Sequence, residues 1–198
     1  MQTILGAGGT IGKDLAKELL NYTTEIRLVS RNPKKVNATD ILHPADLSDA
    51  KQIDGAIAGS EVVYVVVGFE YTLKVWQSQW PTLMRNVIDS CAKHNCKLVF
   101  FDNVYSYDKG EIPHMTENSK LNPPSKKGAV RKQLVDMIWD AVKQNKIQAI
   151  IARAADFYGP DNDKSMLIST VANNFKKGKT ANYFGGTQYI HTYTFTPD

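Results

Sequence analysis

A chain of 198 residues, 42% hydrophobic and 22% charged, can bury one substantial core, and a single domain or slightly more is expected. The net charge of +4 is mild, and no block of like charge or interleaved basic and aromatic stripe points to nucleic acid as a partner. The longest apolar run, residues 62–68, is far too short to span a bilayer, and Cys91 and Cys96 are too few for a disulfide framework, so two reduced thiols in a cytoplasmic protein are expected.

In chain order, a β-prone run over 2–5 comes first, with no charged leader or long apolar segment before it, so no signal peptide is expected. "LGAGGTIG" follows, with Gly6, Gly9 and Gly12 spaced G-x-x-G-x-x-G, and a helical pattern over 12–21 starts at once. A strand, a side-chain-free turn and a helix start in that order suit a diphosphate. Glycine reaches positive φ cheaply, it leaves backbone N–H groups accessible, and a helix N-terminus adds partial positive charge. Gly6, Gly9, Thr10, Ile11 and Gly12 are the expected dinucleotide contacts, the plain alternative being a glycine-rich turn without a ligand.

The second strand, 25–30, ends in "RLVSRNP". An NAD site usually carries an acidic residue there to bond the ribose 2′-hydroxyl. Here Ser30 holds that position and Arg31, Lys34 and Lys35 follow, which suits a 2′-phosphate: NADP is preferred and NAD is the alternative cofactor. A solvated basic loop is the bland reading of the same residues.

A helix over 50–58 and a strand over 61–67 follow, the latter apolar on both faces as a covered parallel sheet requires. The helical stretch 72–93 contains Pro81, which is expected to kink or split it at Trp80; Trp76, Trp80 and Trp139 read as packing residues. A strand over 97–101, a proline-rich functional loop over 108–125, a helix over 128–144 and a strand over 148–152 complete the alternation. Beyond Gly159 and Pro160 it fades into a helix over 164–177, a glycine-rich turn and the alternating "YIHTYTFT", and the chain stops at Asp198 in what reads as an unfinished element. The expected fold is α/β, a Rossmann-type doubly wound parallel sheet over 1–160, with 161–198 the truncated start of a smaller substrate-binding part. The four histidines, His43, His94, His114 and His191, show no metal-ligand spacing, and no metal is expected.

Taken together, these motifs resemble the extended branch of the short-chain dehydrogenase/reductase superfamily, the nucleotide-sugar epimerase/dehydratase type, nearly from end to end. "HPADLSD" is similar to the family's Asp-Leu pair, which implies that Asp46 and Leu47 flank the adenine. "VVYVVVG" is similar to the strand whose end, Val67 and Gly68, passes the cofactor's diphosphate and ribose. "ARAADFYGP" resembles the family's Arg-x-x-Asn-x-Tyr-Gly-Pro turn with Asp156 in place of Asn, and "HTYTFTPD" resembles the segment that opens the substrate-binding part.

The reaction motif departs from the family. Aligning "PPSKKGAVRKQL" on Pro123, Ser125 and Gly128 sets Lys127 where the family has its catalytic Tyr and Arg131 where it has Lys, with Asn103 at the usual Ser/Thr position. The i+4 spacing puts Lys127 and Arg131 on one helix face. Lys127 is the expected acid/base group beside that second cation, and Arg131 is expected to hold ribose or phosphate; anion binding by both without proton transfer is the alternative. Tyr105 and Tyr107 stand in reserve as proton donors, Asn103 is expected to bond a carbonyl or the cofactor amide, and Asp102 to do no more than cap its turn. The resemblance implies an NAD(P)-binding oxidoreductase or epimerase/dehydratase-like enzyme with an atypical site; the rival is a non-catalytic dinucleotide-binding redox sensor acting through a protein partner. A small-molecule substrate is expected, an anionic one included, with no nucleic acid or membrane partner, and homodimer formation stays open.

Overall fold

In the computed structural model, the described residues are 1–198 except 161, 163, 164, 183–185, 187 and 198. They form two compact units, Met1–Arg153 and Ala154–Asp198. The first unit contains β1 (Gln2–Leu5), α1 (Thr10–Leu19), β2 (Ile26–Ser30), β3 (Ile41–Pro44), α2 (Ala50–Ile57), β4 (Val62–Val65), α3 (Leu73–His94), β5 (Lys97–Asn103), a 3-10 turn (Lys109–His114), α4 (Lys126–Lys143) and most of β6 (Gln148–Ala154). The sheet runs β3-β2-β1-β4-β5-β6, and the β1–β2, β1–β4, β2–β3 and β4–β5 pairs are parallel. Strand order reverses between β1 and β4, the switch point of a Rossmann-type sheet, where ligands lie beyond the carboxyl ends of the strands.

Each face of the sheet has its own core. Val63, Val65, Leu98 and Phe100 pack with α2, α3 and α4 through Ile53, Leu83, Met84, Val87, Leu134 and Ile138. Ile4, Ile26 and Leu28 pack with α1 through Ala16 and Leu19, and Tyr64 and Val66 lean on that second core. The all-apolar strand pattern is thus used on both faces, each fully buried aliphatic side chain contributing about 1.5–3 kcal/mol.

Three expectations change. α3 is not split at Trp80: it runs through Pro81 from Leu73 to His94, with Trp76 and Trp80 buried before the proline and Leu83, Met84, Val87 and Ile88 after it. Burial on both sides outweighs the one helical hydrogen bond that proline cannot make. Trp139 is no core residue but lies 39% exposed on α4. β3 was not expected at all; it is a short edge strand with little buried surface.

In the second unit, β7 (Asp156–Tyr158) and β8 (Tyr193–Phe195) pair in parallel. The expected helix is a π turn over Leu167–Ala172 continued by α5 (Asn173–Lys176); its expected start at Lys164, much of the glycine-rich turn and Asp198 lie outside the described residues. His191 Nε2 and Asp156 Oδ2 are 2.8 Å apart. Among the described residues no helix is long and apolar enough to cross a membrane.

Candidate dinucleotide and reaction site

The turn between β1 and α1 is built by sterics. Gly6 has φ +95°, and a Cβ there would lie 2.8 Å from the Val67 backbone, so only glycine lets β1 turn against the end of β4. A Cβ on Gly12 would lie 2.8 Å from Ala7 Cα, so α1 starts hard against the strand. Gly9 differs, because a Cβ there would meet nothing nearer than the Gly6 carbonyl at 3.6 Å. Gly9 is also the N-cap of α1 and provides no side-chain cap, whereas α2, α3 and α4 are capped by Asp49, Thr72 and Ser125. The first turn of α1 carries no acidic residue either. An open glycine face at an uncapped ten-residue helix is a cradle that an anion fits.

Ser30 ends β2 beside this turn, its Oγ 4.0 Å from where a Gly8 Cβ would stand. Arg31 and Lys34 are exposed, while Lys35 Nζ donates to the Ala38 carbonyl at 2.8 Å. Asp40, only 2% exposed, organises that basic loop by accepting from the N–H groups of Val36 and Asn37 at 2.9 and 2.7 Å. Nothing in the sequence singled it out. Asp46 accepts from Ser48 N–H at 2.9 Å; the Ser48 hydrogen bonds, with a smaller effect from the Arg31 charge, hold its carboxyl below the usual range. Leu47 packs partly buried beside the first core. Val67 backs Gly6, and Gly68 leaves open space, with nothing within 4 Å of a built Cβ.

Beyond β5 the structure departs from the sequence expectations. Asp102 does not merely cap a turn. Its side chain is fully buried and its Oδ1 accepts from Arg131 Nε at 2.7 Å and lies 2.7 Å from a terminal guanidinium nitrogen of the same residue. Its Oδ2 lies 3.4 Å from Arg153 Nε. Arg131, expected to reach a ribose or phosphate, is only 3% exposed; its guanidinium sits on Asp102 with its Cζ 4.4 Å from the Trp80 ring centroid and 4.7 Å from that of Phe100. Burial lowers the Arg131 pKa from its ordinary value, and the charges of Asp102 and, less, Tyr105 oppose that shift. Tyr107 is no reserve acid, because its buried hydroxyl accepts from Arg153 at 3.0 Å and donates to the Thr116 carbonyl at 3.1 Å.

Lys127 and Arg131 do share a face of α4, each with its cation 5.7 Å from the Trp76 ring. Lys127 Nζ donates to the Tyr71 carbonyl at 2.8 Å and stands 3.1 Å over the Tyr71 ring. The Tyr71 hydroxyl donates to the Tyr105 hydroxyl at 3.1 Å. Tyr105 stacks on Trp76 with 21° between the rings, and its N–H donates to Asn103 Oδ1 at 3.0 Å. A Cβ on Gly128 would collide with the Tyr105 carbonyl, so the motif's glycine admits that backbone. The sequence reading passed over Tyr71 and took Asp102 only for a turn cap.

A sequence model of the NAD dependent epimerase/dehydratase family matches residues 3–198. UDP-arabinose 4-epimerase 1 of Arabidopsis thaliana is 24% identical over 181 residues, covering 80% of this chain and 43% of the relative. The chain thus spans less than half the length of that curated relative. Among solved structures, UDP-N-acetylglucosamine 4-epimerase from Methanobrevibacter ruminantium, in complex with UDP-N-acetylmuramic acid, superposes with a TM-score of 0.84 at 12% identity, over 99% of this chain and 69% of that one. UDP-glucose 4-epimerase from Thermus thermophilus, in complex with NAD, gives 0.80 at 16% identity, over 100% of this chain and 71% of that one.

Proposed function

The chain belongs to the NAD dependent epimerase/dehydratase family, and on that premise we propose that it binds a nicotinamide adenine dinucleotide at the β1–α1 turn and acts on a small sugar-nucleotide-like molecule, as an oxidoreductase or an epimerase/dehydratase-like enzyme. The observation that supports this best is the start of α1: Gly6 and Gly12 close the turn sterically, while Gly9 leaves an open, uncapped helix end facing outward. When bound, the nicotinamide supplies reversible two-electron chemistry at a substrate carbon. The chain's own residues bind and orient. The backbone of Gly9, Thr10, Ile11 and Gly12 holds the diphosphate, Asp46 and Leu47 flank the adenine, and Val67 and Gly68 line the ribose side. Asn103 has its oxygen tied to the Tyr105 N–H, which leaves its NH2 to donate to a carbonyl. Lys127 brings a positive charge to the substrate side, with Arg131 fixed behind it, which suits an anionic substrate.

Ser30 and the exposed Arg31, with no carboxylate ending β2, favour a 2′-phosphate, so the cofactor is NADP in preference to NAD. One charge-assisted contact is worth roughly 1.5–3 kcal/mol, so calorimetric titration should show NADP binding more than tenfold tighter, and Arg31→Ala should bring the two together. Equal affinities in the parent protein overturn the preference. Gly9→Val should keep its circular dichroism, since its Cβ clears Gly6, and lose dinucleotide binding; retained affinity in a folded variant overturns the site. The sensor remains a second reading because Lys127 and Arg131 both turn their cations onto groups of the chain itself. Turnover of the bound dinucleotide with any sugar nucleotide excludes it.

A further inference from the structure

Lys127 stands where the family has its proton-transferring phenol, yet its ammonium is held on the carbonyl and ring of Tyr71. Tyr71, between β4 and α3, points its hydroxyl at that of Tyr105, on the segment after β5, and donates to it at 3.1 Å. Both segments leave the carboxyl ends of adjacent strands, the same sheet edge as the glycine turn. Tyr105 is held from every side: its carbonyl lies against Gly128, its N–H on Asn103, its ring on Trp76. Such fixing is what a group that must meet a substrate oxygen in one geometry requires.

We propose that Tyr105 is the proton-transferring residue of this site, its oxygen anion held by the Tyr71 hydroxyl with Lys127 and Arg131 as the cations that stabilise it. The proposal deepens the dinucleotide-dependent reading and rests on it. Among the described residues, the charged and titratable groups around Tyr105 include Tyr71 from the β4–α3 segment, Lys127 and Arg131 from α4, and Asp102 from β5 with Arg153 of β6 behind it. Asp102 carries one negative charge against two guanidiniums, so that buried triad is net positive and does not oppose an anion on Tyr105. The coupling of Tyr105 to Arg131 is reciprocal: a Tyr105 anion favours the guanidinium, and the guanidinium favours the anion. In the oxidative direction the O–H bond of a substrate secondary alcohol breaks and its proton passes to Tyr105 Oη. The carbon's hydrogen leaves with its electron pair to an oxidised nicotinamide, and a carbonyl forms. The reductive direction returns both. Tyr71 and Lys127 are positioning residues, since neither needs to touch the substrate.

The test reads ionisation in the full chain without dinucleotide, by ultraviolet absorbance of tyrosinate against pH. Of the nine tyrosines, one should ionise at least about one pH unit below the ordinary phenol value near 10. Tyr105→Phe, which keeps the Trp76 stack and the backbone contacts, should remove that early step. Tyr71→Phe and Lys127→Met should move it upward. No early step in the parent protein, an early step that survives Tyr105→Phe, or one indifferent to both other variants overturns the proposal. Calorimetry on the same samples keeps the two levels apart. Dinucleotide binding without the early step refutes the role of Tyr105 alone, whereas failure to bind any dinucleotide refutes the reading beneath it. Once a substrate is in hand, Tyr105→Phe should lower kcat at least a hundredfold with dinucleotide affinity unchanged.

Discussion

Asp102→Asn is the substitution for which the structure gives the sharpest magnitude. The carboxylate is fully buried and faces two guanidiniums, and the Arg131 side chain is only 4% exposed, so it cannot turn to water when its partner loses charge. Breaking a buried pair by removing one partner costs about 3–5 kcal/mol, set against roughly 5–15 kcal/mol for a whole domain. About a fifth or more of the stability should therefore go. Urea unfolding followed by circular dichroism should show a lower midpoint with an unchanged slope. Adding Arg131→Met to Asp102→Asn removes the stranded charge and should recover most of the loss, because Arg153 keeps 16% exposure and its bond to Tyr107. A loss under about 1 kcal/mol, the range of exposed pairs, or simple addition of the two single losses, would refute this account.

Gly128→Ala should destabilise by about 1–3 kcal/mol, the reverse of the usual gain from alanine in a helix, because its Cβ meets the Tyr105 carbonyl and Pro123; thermal unfolding decides the sign. Burial pushes the Cys91 thiol up to about 12, with Cys96 adding to it, and burial also raises Cys96, so a thiol reagent should label neither until urea unfolds the chain; fast native labelling contradicts this. Burial first, then the Arg27 charge, lowers the His43 pKa. The folded protein thus takes up that proton less readily than the unfolded chain, so the contribution is complete above about pH 6.5 and is lost as the pH falls through the folded value. His43→Gln should flatten that part of the stability profile, and an unchanged slope counts against it.

The sheet was legible because parallel strands buried on both faces leave near-continuous apolar runs, as in "VVYVVV", and because Gly6 and Gly12 mark a turn only glycine can make. β3 was not legible: Ile41 and Leu42 are both exposed, at 43% and 39%, so the strand carries no alternation of buried and exposed residues. The reaction side was read in part. Lys127, Arg131 and Gly128 lie on one helix, where spacing is meaningful. Asp102 meets Arg131 from 29 positions away and Arg153 from 51, and Tyr71 meets Lys127 across 56. No local pattern encodes such pairs. A buried aspartate looks like any turn aspartate until the fold brings two arginines to it.

Pro81 interrupts the backbone bonding of the helix that covers β4 and β5. With no N–H it offers nothing to the Gln77 carbonyl, and nearby the Ser78 and Thr82 hydroxyls bond back to the carbonyls of Val75 and Ser78. The hydrogen-bond ladder of α3 therefore lacks one rung, and side-chain packing on both sides carries the helix across the gap. In amide hydrogen exchange the first turn, Leu73 to Val75, should trade protons with water sooner than Leu83 to Cys91, while the early turns that follow it are tied to the core by Trp76 and Trp80. Those early turns carry Trp76, the surface on which Tyr105 rests. The bed of Tyr105 thus belongs to the core packing of α3 and not to the turn that lacks its rung.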